Sequence, residues 1–173
     1  MTRGADDSAA CADDAAGLDE LLALRTLDVN RRVGPREETA LHAACRSGDV
    51  VCCKTLLAAR ADPSIRCVHG GTCLHQAAQF LNDGALVAML QSSEETVATL
   101  VNVQDKNGWT ALHATVYRPE RSGPTPRSRV RIVQELLRAG AGIDIQNSAG
   151  QTPLELAIAS GCQDGADAMR VAS

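Results

Sequence analysis

Apolar residues along this chain recur as a word with a long period instead of forming one continuous stripe. A Thr-x-Leu word appears at Thr39-Ala40-Leu41-His42, Thr72-Cys73-Leu74-His75, Thr110-Ala111-Leu112-His113 and Thr152-Pro153-Leu154-Glu155, at intervals of 33, 38 and 42 residues. Small apolar residues follow each word (Ala43-Ala44-Cys45, Ala77-Ala78, Ala157). After three of them comes a pair of large ones: Leu56-Leu57, Met89-Leu90 and Leu136-Leu137. Leu41 to Leu56 and Leu74 to Met89 are both 15 residues, whereas Leu112 to Leu136 is 24, so the third copy holds nine extra residues between its two apolar segments. The second copy has its five extra residues later, around 92–96. A fixed period of this size marks stacked units, each too small to bury its apolar face alone.

Each unit reads as turn, helix, turn, helix. Thr suits the position before the first helix, because its hydroxyl can accept from the N–H groups of the opening turn. Proline suits the next position, where no N–H is needed, and Pro153 alone keeps it. The alanines let neighbouring helices approach closely. Gly48 and Gly161 close the first helix of their units, and "RAGAGIDIQNSAGQT" supplies the glycine-rich turn that restarts the cycle.

At these words the chain resembles the ankyrin-repeat family, whose unit of ~33 residues carries a Thr-Pro-Leu-His-x-Ala signature. The resemblance implies an all-α ankyrin-repeat solenoid of helix-turn-helix pairs with short β-turn or hairpin fingers, spanning 1–173 as a single domain. Its parts are an N-terminal partial cap (1–30) and four repeats (31–63, 64–101, 102–143 and 144–173). Residues 119–129 form an inserted basic, Pro-rich loop in the third repeat, where Pro119, Pro124 and Pro126 are expected to prevent regular helix. Glu155 in place of His and a polar "CQDGADAMR" fit a solvent-facing end cap.

Composition narrows the interior and the partner. Aromatic residues are 2% of the chain, one Phe, one Trp and one Tyr, so the core must be aliphatic, Ala and Cys. The net charge of −4 argues against a nucleic-acid binder. The charge is uneven, since Arg118 to Arg131 holds five Arg against one Glu. Seven cysteines and a start, "MTRGADDSAA", with no apolar signal core point to free thiols in a reducing setting, cytoplasmic or nuclear. No apolar run is long enough to span a bilayer.

Thr39/His42, Thr72/His75 and Thr110/His113 recur once per unit, whereas a catalytic site occurs once. They read, with Thr152, as structural, each His tying one turn to the next. Cys67, His69, Cys73 and His75 have the composition of a zinc site, but Cys73 begins a helix while Cys67 and His69 lie in a turn, so their directions oppose. No metal or cofactor is expected.

The family's concave face, carried over with each Thr counted as position six, falls on positions two, three, five, thirteen and fourteen. It takes in Arg36, Glu38 and Arg46 in the first unit and Phe80 in the second. In the third it takes in Lys106, Trp109, Tyr117 and Arg118. All three aromatics fall there, and exposed Trp, Tyr and Arg concentrate interface energy. Arg121, Arg127 and Arg129 are expected to extend this face as an arm toward an acidic or phosphorylated partner. The expected function is a monomeric, non-enzymatic adaptor or scaffold binding another protein. The alternative is a regulatory or inhibitory subunit that occludes an enzyme or signalling protein.

Overall fold

The computed structural model describes residues 28–92, 94–117 and 126–171. Among them the chain is all-α. An inner row of short helices, α1 (Ala40–Ser47), α3 (Cys73–Gln79), α6 (Ala111–Val116) and α8 (Pro153–Ala159), is backed by an outer row. The outer helices are α2 (Val50–Ala58), α4 (Asp83–Leu90), α7 (Pro126–Arg138) and α9 (Gln163–Val171). Each helix packs on its own partner and on its counterpart in the next unit, which makes the molecule an all-α solenoid. The one β feature among the described residues is an isolated antiparallel bridge, Val33 to Glu38, in the first finger. No described helix is long and apolar enough to cross a membrane.

The leucine of each repeated word explains the stacking. Leu41, Leu74 and Leu112 are fully buried between successive units, each contributing about 1.5–3 kcal/mol relative to exposure. Leu154 in the last described unit is only half-buried, and Ile158 is 56% exposed, as no further unit lies over them among the described residues. Glycine is required where turns close on a neighbour. Gly48 ends α1 at φ 81°, and a Cβ there would meet the Asn82 side chain at 2.8 Å. Gly108 has φ 73°, and a Cβ would lie 2.6 Å from the Ser148 nitrogen.

Two insertions differ from expectation. The extra residues of the second unit include a further helix, α5 (Glu94–Leu100), which packs on α4 and buries Leu100. In the third unit α7 begins at Pro126, so residues 126–129 of the expected loop are helical. Proline in the first turn of a helix removes no hydrogen bond, and its fixed φ suits a helix start. Most of the expected N-terminal cap, and residues 118–125, lie outside the described residues.

Candidate protein-binding face

The fingers form a continuous edge because their tips bond to one another. The Val68 N–H donates to the Arg36 carbonyl (2.8 Å), Lys106 N–H to His69 (3.0 Å), and Ser148 N–H to Asn107 (2.9 Å). These bonds set Arg36, His69, Lys106 and Ser148 along one rim, all four exposed. Asn side chains brace the other end of two of the turns. Asn30 Oδ1 accepts from Asp62 N–H at 2.7 Å, and Asn102 Oδ1 accepts from Gly142 N–H at 2.7 Å.

The histidines hold this edge on the helices. Nδ1 of His42, His75 and His113 accepts the backbone N–H of Thr39, Thr72 and Thr110 at 3.2–3.3 Å. The threonine hydroxyls lie 2.9–3.0 Å from the same nitrogens, so they donate to the ring. Nε2 therefore carries the proton, and it donates to a carbonyl in the next unit: Trp109 from His75 and Gln151 from His113, both 3.0 Å. His42 Nε2 points toward the Gly71 backbone but reaches hydrogen-bond geometry with no described residue. Burial holds all three imidazoles below the usual histidine range, and hence neutral. Glu155 makes the same bond to the Thr152 N–H, at 2.8 Å. Its unit is the last described, so a group that only caps serves where a second donor has no carbonyl to reach.

Above this scaffold stand the aromatics. Trp109 is half-buried and Tyr117 is 50% exposed, and their ring centroids lie 4.2 Å apart with planes tilted by 59°. Asp105 Oδ1 accepts the Trp109 N–H at 2.9 Å and the Asn107 N–H at 2.8 Å, which fixes the turn carrying Trp109. The structure thus brings Trp109 and Tyr117 together. Phe80 is half-buried at the end of α3, one unit earlier.

Glu38, expected on the concave face, is instead a buried hub of the first unit. Glu38 is 7% exposed, and its carboxylate is bound by Arg46 and approached by Arg36 at 3.9 Å and by the Gln76 amide at 3.4 Å. Two of the expected partner-binding arginines are thereby ordered by one buried acid, with Arg36 the more exposed. A carboxylate immediately before the Thr of its unit was the available signal.

The arginine arm needs correction. Arg129 is 6% exposed, on α7, and bonds both carboxylate oxygens of Asp164 on α9 at 3.0 Å. It joins two units and is not available to a partner. Arg131 pairs with Asp83 of α4 at 3.0 Å. Arg127 is exposed in the first turn of α7, while Arg118 and Arg121 lie outside the described residues.

The cysteine and histidine cluster does not converge. Cys73 Sγ donates to the Pro63 carbonyl at 3.3 Å, and both ring nitrogens of His75 are engaged within the repeat scaffold. The six described cysteines are all buried. Cys45 and Cys53 lie 3.8 Å apart, and that contact together with burial pushes the Cys53 thiol well up.

A family model described as "Ankyrin repeats (3 copies)" matches residues 8–96 and 86–170. The human protein named SH3 and multiple ankyrin repeat domains protein 2 is 32% identical over 118 residues, covering 68% of this chain and 6% of that protein. The chain therefore spans only a small fraction of that relative's length. Capped helix pairs leaning on one another in sequence order, and a family match over most of the residues, lead to one conclusion: this chain belongs to the ankyrin-repeat family, whose members are generally non-catalytic protein–protein interaction modules.

Proposed function

We propose that this stack is a non-enzymatic adaptor or scaffold module. It holds a segment of another protein against Trp109 and Tyr117, with Phe80, Arg36, Arg46 and Lys106 around them. The observation that carries this reading is the tilted Trp109–Tyr117 pair at 4.2 Å, partly open to solvent in a chain with so few aromatics. Such rings give large rigid contact area at low entropic cost, and a residue of this kind at an interface centre is worth ~2 kcal/mol or more. The human relative's name joins ankyrin repeats to an SH3 domain, which supports an adaptor in place of an isolated inhibitor. Six cysteines packed in the core, where they serve as small apolar side chains, suit a reducing compartment, and the proposed setting is the cytoplasm or nucleus.

The test is affinity capture from lysate with wild type and with Trp109→Ala/Tyr117→Ala, compared by mass spectrometry. The double variant should keep its unfolding temperature within a few degrees and lose its specific partners. Retention of every partner by the folded variant removes this face as the binding site.

A further inference from the structure

The charge on this face is arranged to receive anions. Its described cations are Arg36, Arg46 and Lys106, against the single carboxylate of Glu38. That surplus of +2 sits on a chain of net −4, which leaves −6 elsewhere. Glu38 is 7% exposed and already held by Arg46 and Arg36, so its charge is spoken for and presents little repulsion to an incoming acid. Flanking the face, Arg32 neutralises Glu37 at 3.1 Å. Asp105 has one carboxylate oxygen taken up by the N–H groups of its own turn.

Geometry puts the surplus in line with the aromatics. The Arg36–Val68 and His69–Lys106 bonds join three successive fingers into one rim, with Arg36 on the first and Lys106 on the third, and Trp109 is three residues beyond Lys106 in the same turn. A ligand that follows the rim meets cations first and the apolar rings behind them. Complementary charge steers the encounter and sets the register, while the buried ring contact supplies most of the affinity.

We infer that the face takes a carboxylate-rich protein segment carrying an apolar anchor: acids against Arg36 and Lys106, and the anchor on Trp109 and Tyr117. This rests on the reading of the concave face as the binding site. The inference commits to a protein ligand because the rim offers few cations and an apolar neighbour, whereas nucleic acid requires an extended run of phosphate contacts.

Trp109 is the single Trp of the chain, so its fluorescence reports on the face directly. The experiment selects 12-residue displayed peptides on the full chain. Each winner is then titrated by calorimetry and by Trp109 emission, beside a 12-nucleotide single-stranded RNA. Winners should be acid-rich with one large apolar residue, shift Trp109 emission, and weaken in 0.5 M salt. Arg36→Glu/Lys106→Glu, both at exposed positions, should reduce their affinity about tenfold with the unfolding temperature kept.

Neutral or basic winners that still shift Trp109 overturn the acidic-ligand inference and leave the face standing. Winners that bind by calorimetry without moving Trp109 overturn the face itself. RNA binding tighter than any peptide overturns the choice of a protein ligand. A library with no winner counts against both readings.

Discussion

Nε2 of His75 donates a 3.0 Å hydrogen bond to the carbonyl of Trp109, a residue 34 positions further along the chain. One buried imidazole thus caps its own helix through Nδ1 and fixes the residue on which the proposed binding face centres. Replacing His75 by Ala strands the Thr72 N–H and the Trp109 carbonyl, both in or beside buried structure. Each unsatisfied group costs about 1–3 kcal/mol. His75→Ala should lower stability by about 2–4 kcal/mol in urea unfolding and alter Trp109 emission in the folded protein. Glu155→His, in the last unit, should change stability by less than about 0.5 kcal/mol. Equal effects of the two substitutions would remove the distinction between capping and inter-unit bonding.

Acid should loosen the stack before it titrates the ordinary carboxylates. Burial lowers His42, His75 and His113 below the ordinary histidine value of about 6.5. The unfolded chain therefore binds more protons than the folded one as pH drops below 6.5, and stability falls with pH in that window. The contribution is complete above pH 6.5 and is lost as pH passes down through the folded values. Urea midpoints should hold steady from pH 8 to 7 and decline from pH 6.5 to 5. A midpoint independent of pH across that lower range would show that the imidazoles titrate as they do in water.

Arg127 and Arg129 are two residues apart on α7 and should behave as different classes. Arg129 is buried against Asp164, whose side chain is 25% exposed. Breaking a fully buried pair costs about 3–5 kcal/mol. Because water reaches Asp164, Arg129→Ala should cost less, about 1–3 kcal/mol, without loss of partner affinity at temperatures where the variant is folded. Arg127→Ala should leave stability within about 0.5 kcal/mol. Thermal unfolding of the two variants side by side is the measurement.

Left-handed backbone outside glycine separates strain from packing. Arg60 is exposed at φ 65°, where the matching turn of the third unit has Gly140 at φ 89°. The strain is about 1–2 kcal/mol, and glycine's greater freedom in the unfolded chain offsets about 0.4–1 of it. Arg60→Gly should therefore stabilise by about 0.5 kcal/mol. Leu81 has φ 55° but is 5% exposed in the core. Removing its side chain costs about 2–5 kcal/mol, so burial outweighs the relief and Leu81→Gly should destabilise. A gain from Leu81→Gly would mean that strain governs both positions.

Local chemistry is what a single chain of letters displays, and in this protein it carried far. Thr before each inner helix and glycine after α1 act within one turn of their own position, and the recurring Leu marks the period at which units stack. The period, the starts of the inner helices and the order of stacking were therefore readable, and the repeat register placed Trp109 and Tyr117 in the same unit, where their rings meet. The proline rule misplaced the start of α7, because Pro126 stands in the first turn, where its missing N–H has no consequence.

Only the packed structure decided which charges are available. Arg129 and Asp164 are 35 residues apart, Arg131 and Asp83 are 48, and Gln76 reaches Glu38 across 38. No local signal separates a solvated arginine from one that joins two units, since the difference lies in what the neighbouring helix brings alongside it. For the same reason the sequence alone was enough for a stack of ankyrin-type units with a row of finger tips along one edge. The geometry between units established that Glu38 is masked, Arg129 is committed, and Trp109 and Tyr117 stand together behind a cationic rim.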